Sequence, residues 1–475
     1  MANILATRRH TVLQARADQL ATNLLAYYGG APYIHARLSR FPSESDVDFF
    51  GSTETLPPSI GRKERAFLIN FAKRIAHKIN QYVFATPVIR AGADEKFLLD
   101  ATTTGMSLNQ FMAEVSSMLT VQRWCWIGVD RPQSPGPRSI AQRERSGDRV
   151  YWKLYTASEV VDWSVDARGG LAWLLTEDTE QSNADPRAEA VETKIRYLWQ
   201  PGSVTRMVLK DGSDEFQETL ETRIGGSRVP FVLAGLVSAK PWWFDDLERV
   251  QRAVLDLLSS RDTQIFKAVF ALLVVSKSFS ETLHLEGIKD AQARRKIGLG
   301  NPLIESAEES GLTRYLNVPA EVFAVIREAV QDLQVQLMDI VGLGMSVPES
   351  RQVQSAEAKQ WDHLDPEAVL RERAALLEEV ETKAADLSAE IGGPVWTPYT
   401  PIYAKAFDIS DFESDMRAAT SVSGLTLPPK AEKLVVKAAV RAVAKRFSVS
   451  ESDLAAALAE VDTYEAPGMG LSVPG

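Results

Sequence analysis

Residues 241–265 read PWWFDDLERVQRAVLDLLSSRDTQI. Leu247, Val250, Val254, Leu257, Leu258 and Ile265 recur at helical spacing, and Asp245 and Asp246 put negative charge at the helix start, where the backbone dipole favours it. A long amphipathic helix is expected. From Phe270 to Val318 the pattern changes to a short excursion, with a β-rich run Leu272-Leu273-Val274-Val275 and a Gly298-Leu299-Gly300-Asn301-Pro302 turn. Residues 319–341, PAEVFAVIREAVQDLQVQLMDIV, return to helix: Pro319 opens it, Phe323, Ile326, Val330, Leu333, Leu337 and Val341 form one stripe, and Gly342 and Gly344 end it. Met345 to Gln354 has neither periodicity nor enough apolar residues for a core and reads as a mobile loop. Helix restarts at Ser355, with a kink expected at Asp365-Pro366, and carries Leu370, Leu377, Val380, Ala384, Leu387 and Ile391 to Gly392-Gly393-Pro394. Long helix, small excursion, long helix, loop, long kinked helix is an unusual order for an enzyme.

Upstream, a helix from about Thr11 to Tyr27 stops at Gly29-Gly30. A second, Arg62 to Tyr82, is expected to carry Phe67, Ile75, Ile79 and Tyr82 inward and Arg62, Lys63, Arg65, Lys73, Arg74 and Lys78 outward. That basic face is either plainly solvated or a contact for nucleic acid or an acidic neighbour, with Lys73, Arg74 and Lys78 as its candidates. From Thr120 to about Val232 short β-rich runs take over: Trp124 to Asp130, Tyr151 to Tyr155, Arg196 to Trp199 and Val204 to Leu209. Asp211-Gly212-Ser213 is a turn between such runs, and Pro132 to Asp148 reads as an exposed loop. An antiparallel region flanked by helices gives the class α+β. A strand candidate, Val395 to Phe407, precedes a helical C-terminal region whose second basic patch includes Lys437, Arg441 and Lys445.

A chain of 475 residues exceeds one hydrophobic core, so about two to four structural parts are expected. Its 45% hydrophobic and 24% charged content is that of a folded soluble protein, and no apolar run approaches the length of a membrane span. Arg8, Arg9, Arg16 and Asp18 break up any secretory core near the N-terminus. The single cysteine, Cys125, excludes an internal disulfide and a multi-cysteine metal site. A net charge of −10 argues against tight nucleic-acid binding over the whole surface, yet suits a wall past which DNA slides, since each fixed phosphate contact would be a sticking point.

Catalytic signatures are missing from the sequence. His10, His35, His77, His284 and His363 never fall at metal-ligand spacing, and no Gly-x-Ser-x-Gly elbow occurs. Gly342-Leu343-Gly344 lacks the further glycine and Lys-Ser/Thr of a phosphate loop. The acid pairs Asp245-Asp246 and Glu378-Glu379 read as solvated helix surface, and Trp242, Trp243 and Trp361 as packing residues. No catalytic residue, metal or cofactor is expected.

Residues from about 23 to 412 resemble the portal proteins of tailed bacteriophages. The likeness is carried by the order of Tyr27-Tyr28-Gly29-Gly30, Asn80-Gln81-Tyr82-Val83-Phe84-Ala85-Thr86-Pro87, Asp100 to Gly105 followed by Ser107-Leu108 and Phe111, Trp126 to Asp130, and Gln354-Ser355-Ala356-Glu357-Ala358. The resemblance implies a portal-like α+β chain: 1–240 N-terminal helices and an α/β wing, 241–270 and 319–341 two stem helices, 271–318 a small α/β clip. It further implies 342–354 as a tunnel loop, 355–393 as a kinked tunnel helix, 394–411 as a wing strand and 412–475 as a helical crown and tail. Phe412 onward matches no motif of the family.

The same resemblance implies a homo-oligomeric ring, usually dodecameric, at one capsid vertex of the virion, assembled in the host cytoplasm. Double-stranded DNA would pass through it during packaging and ejection. Its implied partners are the large terminase, then the head-tail adaptor, with the major capsid and scaffolding proteins around it, and no membrane. Ser346, Glu349, Arg351, Gln352, Gln354 and Lys359 are the implied tunnel-loop residues, with Arg351 and Lys359 the candidates for transient backbone contacts. A cellular helical scaffold or adaptor without enzymatic activity is the alternative that composition equally allows.

Overall fold

The computed structural model describes residues 7–41, 44–52, 59–131, 149–182, 191–209, 216–269, 272–276, 303–305, 314–316, 320–341, 356–392, 399–404, 436–437, 440 and 456–461. The chain divides into two units, 1–405 and 406–475. In the second, the described residues are short helical pieces; all others belong to the first.

Helix α1 (Thr11–Tyr28) ends where expected, at Gly29, whose φ of +68° suits a residue without a side chain, and α2 (Gly30–Arg37) follows at once. The single-turn α3 (Asp46–Phe50) leads into a two-residue ladder, β1 (Gly51–Ser52) with β2 (Ser59–Ile60). The single helix expected from Arg62 to Tyr82 is instead two, α4 (Arg62–Arg65) and α5 (Phe71–Val83). The break has a local cause: Ala66 is extended, and the Asn70 side chain accepts a hydrogen bond from the Lys73 N–H at 2.8 Å, capping a new helix. It also inverts two assignments. Arg62, expected outward, is 1% exposed, and Phe67, expected inward, is 43% exposed; Lys73 and Arg74 do face solvent.

Strand β3 (Ile89–Ala91) and the short α6 (Glu95–Leu99) precede α7 (Leu108–Gln122), which starts in a reciprocal Ser107/Gln110 capping box and is buried nearly all round. Around it lies the β region. Strand β4 (Trp124–Asp130) pairs antiparallel with β5 (Tyr151–Thr156) on one side and with β11 (Phe231–Gly235) on the other. Between these in sequence, β6 (Val160–Val165), β7 (Leu171–Ser182), β8 (Val191–Gln200), β9 (Ser203–Leu209) and β10 (Phe216–Arg223) form an antiparallel meander. The class is α+β. Strand alternation splits the meander between two cores: Val160, Leu174 and Trp199 join Trp124, Trp126, Trp163 and Phe231, whereas Val161 and Leu175 pack with Met207 and Phe216.

The sequence runs found β4, β5, β9 and the end of β8, but not β6, β7, β10 or β11. Part of β7 reads Thr176-Glu177-Asp178-Thr179-Glu180, too polar for an apolar signal; it is held by cross-strand pairing, with Glu177 directly opposite Arg196 and their side chains 2.6 Å apart. The loop expected at Pro132 to Asp148 and the Asp211-Gly212-Ser213 turn lie outside the described residues.

Helix α8 (Trp243–Val269) is the expected long helix, with Leu247, Val254 and Leu258 buried and Ile265 exposed. Strand β12 (Leu272–Ser276) sits between β13 (Leu303–Glu305), parallel to it, and β14 (Arg314–Leu316), antiparallel. Helix α9 (Ala320–Val341) buries Ile326, Val330 and Leu337 of its stripe. Helix α10 (Ala356–Glu390) runs on through Asp365-Pro366 as one element and buries five expected apolar residues from Leu370 to Leu387; Ile391 just beyond it is also buried, and the chain turns at Gly392 with φ +82°. The following strand is shorter than expected: β15 (Thr400–Ile402) pairs with β3.

At Gly235 a tight backbone approach coincides with a φ of +92°: the residue stands opposite Trp124, and a Cβ there would lie 2.3 Å from the Arg123 carbonyl oxygen and 2.7 Å from Leu119. Gly235→Ala should therefore cost at least about 2 kcal/mol, read as a lowered urea midpoint at unchanged m-value.

Candidate functional site

Helix α8 carries polar groups at Asp245, Glu248, Gln251, Arg252, Asp256 and Ser259, a spacing that keeps them near one face. Asp245, Glu248, Gln251 and Ser259 are buried, which would be costly unless each were satisfied. Each is. Asp245 accepts from Arg16 Nη1 and Nη2 at 2.6 and 3.0 Å, from Asn23 Nδ2 at 2.9 Å and from the Trp242 N–H at 2.8 Å. Burial would raise its pKa, but those donors and the Arg16 charge outweigh burial and hold the carboxyl below its usual value. Glu248 accepts from Arg37 Nε at 3.0 Å and the Tyr33 hydroxyl at 3.2 Å; burial and the Glu248 charge push the Tyr33 phenol far upward.

Further along, Gln251 donates to the Ala26 carbonyl at 3.2 Å and accepts from the Ala72 N–H at 2.8 Å. Arg252 donates to the Arg37 carbonyl and Ser39 Oγ, and Asp256 accepts from the Ser39 N–H. Arg62 donates to Ser259 Oγ at 3.1 Å and to both Glu44 oxygens at 2.7 Å. The N-terminal helices are thus stitched along α8 over about four turns.

Helix α10 is fastened in the same manner. The fully buried Glu381 accepts from Arg90 Nε at 2.7 Å, from the Tyr403 hydroxyl at 2.5 Å and from the Tyr399 hydroxyl. Ser388 accepts from Trp152 Nε1 at 2.7 Å, and Arg373 donates to the Ser116 carbonyl at 2.9 Å. At the helix end Glu390 accepts from the Ser227 N–H, Ser227 Oγ and Arg228 Nε at 2.6 to 2.7 Å; despite burial, these donors hold its pKa at about 2.

Helix α9 differs. Among the described elements it packs extensively against α8 and no other. Val322, Val325 and Val335 are 37%, 64% and 41% exposed, on turns where Glu321, Glu328 and Asp332 are also exposed. The arrangement is a helix held along one stripe only, on a neighbour that is itself firmly seated.

Of the residues singled out by sequence, Ser346, Glu349, Arg351, Gln352, Gln354, Arg441 and Lys445 lie outside the described residues, and Lys359 lies on α10 with its side chain outside them. Lys73 and Arg74 are exposed on α5, and Lys78 lies over the Tyr82 ring at 4.8 Å. Lys437 is half-buried in the second unit. Asp245, expected to be solvated beside Asp246, is the buried anchor, whereas Asp246 is exposed. Trp242 packs, donating from Nε1 to the Thr120 carbonyl at 2.9 Å. Among the described residues no three His, Cys, Asp or Glu side chains gather as a metal site, and no helix is long and apolar enough to cross a membrane. Burial pushes the Cys125 thiol up to about 12, which denies it thiolate character.

No family model and no curated protein matches this chain. Solved assemblies that contain chains with a distant likeness to it include two gene transfer agent structures. One is the neck of an empty gene transfer agent particle computed with C6 symmetry, at 12% identity over 76% of this chain and 88% of that one, with a TM-score of 0.34. The other is the virion of a native gene transfer agent particle, at 10% identity over 88% of this chain and 98% of that one, with a TM-score of 0.36.

Arg16→Met strands a buried carboxylate and should cost about 3–5 kcal/mol by urea denaturation, whereas Arg16→Met with Asp245→Leu should recover most of that loss. Because the Glu390 pKa is lowered on folding, its contribution is fully present above 4.5 and disappears as pH falls to about 2. The protection factor of the Ser227 amide, the exchange rate of the unfolded chain at the same pH divided by its own, should fall across that window, and Glu390→Gln should remove that dependence.

Proposed function

We propose that this chain is one subunit of a portal ring, the channel through which double-stranded DNA enters and leaves a tailed-phage capsid. The observation that carries the reading is the α8–α9 pair: α8 is stitched into the body, while α9 covers one stripe on α8 and leaves Val322, Val325 and Val335 in solvent. Identical copies placed around an axis supply the burial that one chain lacks, and a heterologous contact that closes gives a ring. The order of elements and the sequence likeness from about 23 to 412 support the same reading.

In this reading α8 and α9 are the stem, the three strands β12 to β14 belong to the clip that faces the large terminase and later the head-tail adaptor, and α10 is the tunnel helix. Residues 342–354 form the tunnel loop, with Arg351 and Lys359 touching passing phosphates, and 412–475 form the crown. Twelve copies of a −10 chain carry about −120 in all, a field that discourages phosphate binding and lets the duplex slide. The ring has no catalytic residue; its work is to hold a hole open while partners move the DNA.

Negative-stain electron micrographs of the purified full chain should show annular particles with an axial hole. A compact monomer, or a solid particle of the kind a scaffold protein gives, overturns the reading. The purified ring should also leave ATP intact when its motor partner is absent.

A further inference from the structure

Two exposed faces lack ion-pair partners among the described residues and are opposite in charge. On α9, Glu321, Val325, Glu328 and Asp332 follow one another at spacings of four, three and four residues, so they share one face, and all four are exposed. None of the three acids has an ion pair among the described residues, and Arg327 lies on the opposite side of the helix. On α5, Lys73 and Arg74 are exposed and likewise have no acid partner among the described residues. On α9 an exposed apolar residue, Val325 at 64%, stands between the carboxylates, and the two faces are complementary in charge.

We infer that the acidic, valine-bearing face of α9 docks on the Lys73–Arg74 face of α5 in the next copy of the same chain. The occupant is a second copy because that single contact satisfies both faces at once and, being heterologous, repeats around a ring. DNA bound at Lys73 and Arg74 would satisfy one face and leave the other bare. The inference rests on the ring proposed above and names which surfaces meet in it. Fixed charge of opposite sign also selects the orientation of approach, since the like faces repel.

The test uses the full chain with two charge-reversed variants, Glu328→Lys/Asp332→Lys and Lys73→Glu/Arg74→Glu, followed by mass photometry over a concentration series. Each variant alone should need at least about tenfold more protein to assemble than wild type, because like charges then meet at every contact. An equimolar mixture should assemble again, since each reversed face then finds its complement on the other chain; a contact within one chain would not be rescued by mixing. If a reversed chain loses its far-UV circular dichroism, the neutral pair Glu328→Gln/Asp332→Asn and Lys73→Gln/Arg74→Gln replaces it, with weakened assembly expected. Variants that assemble as wild type does, or a mixture that stays unassembled, overturn the inference and leave the ring standing. So does a Lys73→Glu/Arg74→Glu chain that assembles normally but loses salt-sensitive binding to linear duplex DNA. A wild-type chain that is itself monomeric at all concentrations overturns the ring reading as well.

Discussion

The structure depends on a row of buried polar groups along α8. A helix packed only through leucine and valine can slide by about one turn at modest cost, because the apolar contacts of one turn much resemble those of the next. Asp245 bound by Arg16 and Asn23, Glu248 by Arg37 and Tyr33, and Gln251 by two backbone groups have no such tolerance. A slip by one turn would leave several desolvated charges unpaired at once. The net stabilisation from such pairs is modest, since desolvation offsets most of the Coulombic gain; what they contribute is a single allowed register.

That register positions everything further out. Helices α1, α2 and α5 are set along α8, α7 fills the space between them and β4, and the β4 sheet receives α10 through Trp152 and Ser388. Among the described elements helix α9 is placed mainly by α8, through Ile326, Val330 and Leu337. The body is therefore over-determined and α9 is not, so an added contact has its largest effect there.

What the sequence made legible was whatever depends on local periodicity. The apolar stripes of α8, α9 and α10 were found, with five expected α10 positions and Ile391 just beyond it all buried, as were the Gly29 stop and strands β4 and β5. The Arg62 to Tyr82 helix failed because amphipathic spacing says nothing about Asn70, whose side chain offers the backbone a cap, or about Glu44, which draws Arg62 inward. Polar strands such as β7 escaped because cross-strand pairing holds them. The anchors were out of reach for a plainer reason: Arg16 and Asp245 are 229 residues apart, Arg90 and Glu381 are 291 apart, and a single sequence does not record which charge meets which. Asp245 and Asp246 are adjacent in the chain yet one is interior and one exterior, a distinction set by where α1 lies.

The Glu381 cluster draws its donors from both sides of α10 in sequence, Arg90 from before it and Tyr399 and Tyr403 from after it, while Ser388 and Glu390 grip Trp152, Ser227 and Arg228. Mechanically this bolts α10 down over its C-terminal half. A load applied near Ala356 cannot be absorbed by twisting the helix in its seat, because several hydrogen bonds would have to break together. It travels instead as a bending moment into the β3–β15 ladder and the β4 sheet, and those elements take up the strain.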